Sequence, residues 1–344
     1  MLPNTGLRCI KMKILISDPT LRDGSHAIKH QINTNHIKMY CQIAEKAGIP
    51  IVEVGHGNGL GASSLQLGES LTSDEKMVKE ARKYLKKSKL GIHIIPGYAT
   101  IEKDLKPAID NGVDVVRVAS HCTEADLCEK HVIYARNRGV SVWGCLMMAH
   151  MIDEELLLEQ IKKFQEYGAE GVVIMDSSGN FLPDDVSRVV GYLVDNSKIN
   201  IGFHGHNNLG VAISNSISAI NAGAHLIDAT SSGFGAGAGN TQLEVLIAVL
   251  NRLEIETNID LYSVLDLADL VNTIWESQLP RITSVSVISG LSGVFSGFIK
   301  PVKRIAKEYK IDPRDLFIEL GNNKIIAGQE DKIIEFAAKI KNEK

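Results

Sequence analysis

Short runs of β-branched and aliphatic residues alternate along this chain with longer stretches in which apolar side chains return every three or four positions. The short runs predict strands at 13–17, 51–55, 90–95, 115–120, 141–147, 171–176, 200–206 and 225–230. The longer stretches predict helices at 35–48, 74–87, 101–112, 124–139, 153–168, 183–196, 210–223 and 242–251. Several of these close on glycine, among them Gly48, Gly139 and Gly168, where a left-handed cap stops a helix. Eight strand–helix units in about 250 residues is the rhythm of an α/β fold of the (β/α)8 TIM-barrel kind. An open doubly wound sheet usually has fewer strands and a phosphate-binding glycine turn after the first, and no such turn follows Ser17. Beyond about Leu279 the alternation stops, and 299–309, 313–320 and 331–341 have helical periodicity. The expected division is an N-terminal extension at 1–12, a catalytic barrel at 13–279 and a small C-terminal helical domain at 280–344, with Met12 the more natural start.

Composition narrows the function classes. The 344 residues are 44% hydrophobic and 23% charged, an ordinary globular balance. The net charge of -4 comes with no basic stripe to track a phosphate backbone, so nucleic acid is not an expected partner. Cys9, Cys41, Cys122, Cys128 and Cys145 are scattered and form no C-x-x-C pair, which fits a reducing cytoplasm. No signal peptide and no apolar run of about 18 residues is present, so no membrane is expected.

A barrel enzyme carries its chemistry at the C-terminal ends of its strands. The polar residues collected there are Asp18, Arg22, Asp23 and His26; Glu53, His56 and Asn58; His93; Asp176, Ser177 and Ser178; and His204, His206 and Asn207. In His204-Gly205-His206, alternate residues of a strand point two imidazoles into the barrel mouth. Two nitrogens plus a carboxylate make a facial metal site with open positions, with Asp23 the preferred carboxylate; the alternative is a pair of buried, hydrogen-bonded histidines. Their place at the end of a seventh strand, opposite an Asp-rich first loop, favours a metal. Arg22 beside Asp23 suits an oxyanion held on a cation, or else a surface ion pair in a turn. The glycine loop at 233–240 either presents N–H groups to an anion or only permits a tight turn. His56 either lines the pocket or is structural.

Taken in order, D-P-T-L-R-D-G-S-H at 18–26, V-E-V-G-H-G at 52–57, D-S-S-G at 176–179, H-G-H-N-N-L-G at 204–210 and G-A-G-A-G-N at 235–240 resemble the 4-hydroxy-2-oxovalerate aldolase family. That family is a branch of the metal-dependent lyase barrels that also include the 3-hydroxy-3-methylglutaryl-CoA lyases and the isopropylmalate and homocitrate synthases. The resemblance runs from about Ile14 to Lys300. It implies that Asp23, His204 and His206 hold a divalent metal, manganese above magnesium or cobalt, and that Arg22 steadies a pyruvate enolate. It further implies that His26 is the catalytic base and that Ser177 binds substrate together with Arg22, Asp23 and His204. One segment departs: Leu291 and Phe295 stand where the family has tyrosines, which touches the choice of aldehyde and the C4 stereochemistry.

The activity so implied is cleavage of a 4-hydroxy-2-oxo acid to pyruvate and an aldehyde. The resemblance also implies an acylating aldehyde dehydrogenase as partner, and a homo-oligomer is expected. The alternatives are a Claisen condensation of an acyl-CoA with a 2-oxo acid on the same platform, or a non-catalytic barrel that kept its polar residues.

Overall fold

The computed structural model describes residues 14–326 and 328–343, so the expected extension at 1–12, with Cys9, lies outside the described residues. Eight parallel strands close into a barrel in chain order: β1 (Leu15–Leu21), β2 (Ile51–Val54), β3 (Lys89–Ile94), β4 (Val115–His121), β5 (Ser141–Met147), β6 (Gly171–Asp176), β7 (Asn200–Gly205) and β8 (Leu226–Asp228). Outside them run α1 (Thr34–Ala47), α2 (Asp74–Tyr84), α3 (Lys106–Asp110), α4 (Glu129–Asn137), α5 (Glu154–Tyr167), α6 (Pro183–Asn196), α7 (Ala212–Asn221) and α8 (Leu243–Arg252). The chain is therefore a TIM barrel, as the alternation predicts. Outward residues such as Ile16, Val52 and Ile92 pack under the helices, while Ile51, Val115, Trp143, Val173 and Leu226 fill the interior. Burial on both faces is why the strands read as apolar runs. Among the described residues no helix is long and apolar enough to cross a membrane.

Local chemistry sets many element ends. Asn33 accepts the His36 N–H at 2.9 Å and starts α1, which stops at Gly48 with φ +76°. The stretch predicted as one helix at 101–112 is instead a π-helical turn, Ile101–Leu105, running into α3. Pro107 has no N–H to donate, so a regular ladder cannot cross it. A further helix, α9 (Leu261–Trp275), absent from the predicted set, packs against α1 and α8 and closes the helical ring. Its Trp275 stacks on Phe234, ring centroids 5.0 Å apart. The last helices, α10 (Ser284–Leu291), α11 (Ile299–Tyr309), α12 (Pro313–Asn322) and α13 (Asp331–Glu343), surround a separate core that includes Val294, Phe298, Val302, Phe317 and Leu320.

β1 continues to Leu21, past the end predicted at 17, and this corrects the grouping of Asp18 with the mouth residues. The Asp18 carboxylate accepts the Tyr40 hydroxyl of α1 at 2.5 Å, and that hydroxyl also lies 2.6 Å from Ser231 Oγ. Asp18 thus braces strand, helix and loop, and burial pushes its carboxyl up to about 6.

Above its apolar layers the barrel interior is charged. Arg117 of β4 is fully buried and donates from Nη1 and Nη2 to Asp228 of β8 at 2.9 and 2.7 Å, and from Nη1 to Glu53 of β2. Glu53 also accepts from Ser17 Oγ at 3.0 Å and from Arg22 Nε at 3.1 Å. Strands β1, β2, β4 and β8 are joined through one buried set of charges whose desolvation is offset only by mutual pairing. Arg117→Met should therefore cost about 3–5 kcal/mol of unfolding free energy, because Glu53 and Asp228 stay buried and lose their shared cation. Urea denaturation followed by circular dichroism measures it, and a loss below about 1 kcal/mol would show that the network is dispensable.

Candidate metal centre

His204 sits inward on β7, and His206 follows just past the strand end, in a bridge with Asn240. Asp23 comes from the turn after β1. The three side chains are buried, and their ligand atoms all lie within 4.8 Å of one another. Thus the structure brings together the three residues expected from the sequence, although β1 and β7 lie far apart along the chain.

The donor set suits a divalent cation. His204 Nδ1 lies 2.9 Å from Asp228 Oδ2, which assigns the proton to Nδ1 and leaves Nε2 with its lone pair. That Nε2 faces His206 Nε2 at 3.3 Å. Burial pushes the His206 ring down to about 4, against the pull of Asp23, so it is held in its neutral, ligating form. Burial alone would push the Asp23 carboxyl up; Arg22 and the rings of His206, His26 and His204 instead hold it well below the usual carboxylate range.

Asn240 is the residue that sequence reasoning missed. Its Nδ2 donates to Asp23 Oδ2 at 2.7 Å, while Arg22 Nη1 donates to Oδ1 at 2.9 Å. The glycine loop exists for this approach. A Cβ on Gly235 would lie 2.5 Å from Asn240 Nδ2, and one on Gly239 would lie 2.2 Å from the Gly233 carbonyl oxygen. The only sequence signal was an asparagine closing a glycine run.

A cavity of about 190 Å³ opens beside the ligand set, with Arg22, Asp23, His26, Ser177 and His206 on its wall; His204 is not part of that wall. Arg22 is locked from Nε by Glu53 and from Nη1 by Asp23 and the Gly57 carbonyl, while Nη2 has no partner. His26 lies flat on Gly57, where a Cβ would come within 2.4 Å of its Nε2, and burial lowers its ring to about 4. Lys300 Nζ donates to the His26 carbonyl at 2.7 Å, tying α11 to this turn. Ser177 Oγ accepts the Met148 N–H at 3.1 Å.

Other expected residues fall elsewhere. His56 stacks on His30 with centroids 3.6 Å apart and pairs with the Gly68 carbonyl oxygen at 3.1 Å, so the structural one of its two readings holds. Asp176 accepts the N–H groups of Asn180 and Phe181 at 2.8 and 3.2 Å and shapes the loop after β6. Phe295 is on the cavity wall, whereas Leu291 is 67% exposed on α10.

Comparison with known proteins shows the family of the chain. A family model described as HMGL-like matches residues 13–271, and one described as a DmpG-like communication domain matches 280–342. A protein of Spirochaeta aurantia named 4-hydroxy-2-oxovalerate aldolase is 59% identical over 329 residues, 96% of each chain. One of Pectobacterium atrosepticum with the same name is 54% identical over 325 residues, 94% of this chain and 95% of its own. The carboxyl transferase domain of Rhizobium etli pyruvate carboxylase has a TM-score of 0.81 over 98% of this chain and 61% of that one, at 14% identity, a likeness of fold alone.

If Asp23, His204 and His206 form the site, then Asp23→Ala and His204→Ala should each abolish tight manganese binding in a titration. Asp228→Asn should weaken it by about 10- to 100-fold, since the partner that orients His204 is lost. Wild-type affinity in both alanine variants would remove the site from these residues, and wild-type affinity in Asp228→Asn would remove the role of the carboxylate.

Proposed function

We infer that this chain, which belongs to the HMGL-like family and carries a DmpG-like communication domain, is a divalent-metal-dependent aldolase that cleaves a 4-hydroxy-2-oxo acid such as 4-hydroxy-2-oxovalerate to pyruvate and an aldehyde. The observation that carries this reading is the convergence of Asp23, His204 and His206 on a cavity shared with Arg22 and His26. A bound divalent cation, for which we propose manganese, supplies Lewis acidity that polarises the 2-oxo group.

The residues of the chain do the rest. Arg22 and Arg117 face three buried carboxylates, Asp23, Glu53 and Asp228, so the set carries one net negative charge and is matched to a dication followed by an anionic substrate. Arg22 is held rigidly and lends positive charge where the enolate oxygen develops as the C3–C4 bond breaks. His26, kept neutral by burial, accepts the proton of the 4-hydroxyl on its ring nitrogen. Its ring packs against Gly57 on the cavity wall. Ser177 holds substrate from the opposite wall, with its hydroxyl oriented by the Met148 N–H. Ile95, Met147, Met148, Met175 and Phe295 give the aldehyde half an apolar surface, suited to acetaldehyde. Because Phe295 carries no hydroxyl, packing rather than hydrogen bonding selects the face of the aldehyde there. The C-terminal helices supply the surface for a proposed acylating aldehyde dehydrogenase that takes up the aldehyde.

The purified protein should release pyruvate from 4-hydroxy-2-oxovalerate with manganese and lose that activity to a chelator. Arg22→Lys should retain manganese affinity but lose about 100- to 1000-fold in kcat, since an ammonium cannot reproduce the fixed fork at the oxyanion. No pyruvate with or without manganese would overturn the aldolase reading; near-normal turnover in Arg22→Lys would overturn the role of Arg22.

A further inference from the structure

His93 has no place in the machinery described so far. It pairs in register with Arg117 of β4. Two residues before it, a Cβ on Gly91 would meet Glu53 Cγ at 3.0 Å, and two residues after it Ile95 packs with the barrel interior, so the His93 ring faces inward. The residue is 2% exposed and belongs to the wall of the cavity that holds Arg22, Asp23 and His206. Its ring makes no hydrogen bond among the described residues, and Nδ1 is buried without a partner. The same is true of Arg22 Nη2 on the same wall.

Leaving a buried polar group unpaired destabilises a fold, and an apolar side chain would serve this wall better if packing were its only task. Both unpaired groups have a hydrogen to give: Arg22 Nη2 always, and a neutral imidazole through one ring nitrogen in either tautomer. A neutral ring also keeps an acceptor nitrogen, yet the structure records no hydrogen bond between His93 and Arg22 Nη2, so neither satisfies the other. One acceptor oxygen from a ligand satisfies both. Arg117, the register partner of His93, and Glu53, beside Gly91, belong to the charged set that reaches Arg22 and Asp23 at the ligand end of the cavity, and this assigns the oxygen to the pyruvate half of the substrate.

We propose that His93 is a second substrate-binding donor, whose ring N–H joins Arg22 Nη2 in holding a carboxylate or enolate oxygen of the 2-oxo acid. The proposal rests on the aldolase reading and adds the residue that distinguishes a 2-oxo acid from an apolar occupant of the same cavity.

Oxalate, a planar dianion shaped like the enolate of pyruvate, is the probe, titrated into manganese-loaded wild type, His93→Leu and His93→Gln. In His93→Leu, manganese affinity should stay at the wild-type value and the midpoint of thermal unfolding of the metal-free protein should stay level or rise, because an unpaired polar group has left the interior. Its oxalate affinity should fall by about tenfold or more. His93→Gln keeps an amide N–H and should recover part of that loss. With 4-hydroxy-2-oxovalerate, kcat/KM should follow oxalate affinity, while the preference between acetaldehyde and longer aldehydes in the reverse direction stays as in the wild type. Unchanged oxalate affinity in both variants overturns the proposal, as does a change of aldehyde preference with oxalate affinity intact. If the leucine variant fails to fold, His93→Phe takes its place, and unchanged oxalate affinity there overturns the proposal as well. Failure of manganese-loaded wild type to bind oxalate at all overturns the aldolase reading itself, so the two failures are distinguishable.

Discussion

A guanidinium with no access to water must be surrounded by its counter-charges, and Arg117 sets this requirement at the centre of the barrel. Two carboxylates answer it, and each has a second duty. Asp228 shares its Oδ2 between Arg117 Nη2 and His204 Nδ1, and Glu53 accepts from Arg22 Nε, whose Nη1 reaches Asp23. One buried cation therefore organises both flanks of the candidate metal centre, through β8 to the imidazole and through β2 to the carboxylate. In surroundings of low dielectric these contacts are strong and directional, so the ligands are oriented before any ion arrives.

What strands begin, loops complete. Asp23 is held by the Asn240 amide across a loop in which Gly235 and Gly239 have no space for a Cβ, and His26 is pressed against the bare backbone of Gly57. The C-terminal helical region takes part in the same site. Phe295 contributes to the cavity wall, the Ser296 N–H donates to the Ser177 carbonyl at 3.3 Å, and Lys300 caps the His26 carbonyl. A shift of α11 would act on the backbone of the proposed base, so the surface matched to a communication domain and the chemistry of the barrel share their contacts.

Side-chain direction separates the polar residues that serve the cavity from those that brace it. Asp18 and Asp23 are five positions apart, yet one supports Tyr40 behind the sheet and the other joins the ligand set. His56 and His93 both lie near strand ends; one is satisfied by a carbonyl in a loop, while the other faces the cavity unpaired. Residue type and approximate place along the chain are alike within each pair. The difference arises from a strand that runs longer than its hydrophobic pattern shows, and from loops whose course has no periodicity to read.

The sequence by itself determined the eightfold alternation, the start and end of α1 and α5, and the pairing of His204 with His206. Each of these depends on interactions within a few residues: the two-residue repeat of a strand, the turn of a helix, an asparagine or aspartate cap and a glycine stop. Only the tertiary structure decided which carboxylates stand behind the site and what holds Asp23. Arg117 meets Asp228 across 111 positions, and Asn240 meets Asp23 across 217. No local periodicity records such contacts, because they come into being when β8 closes on β1 and residues from distant parts of the chain, shut away from water, must satisfy one another's charges and hydrogen bonds.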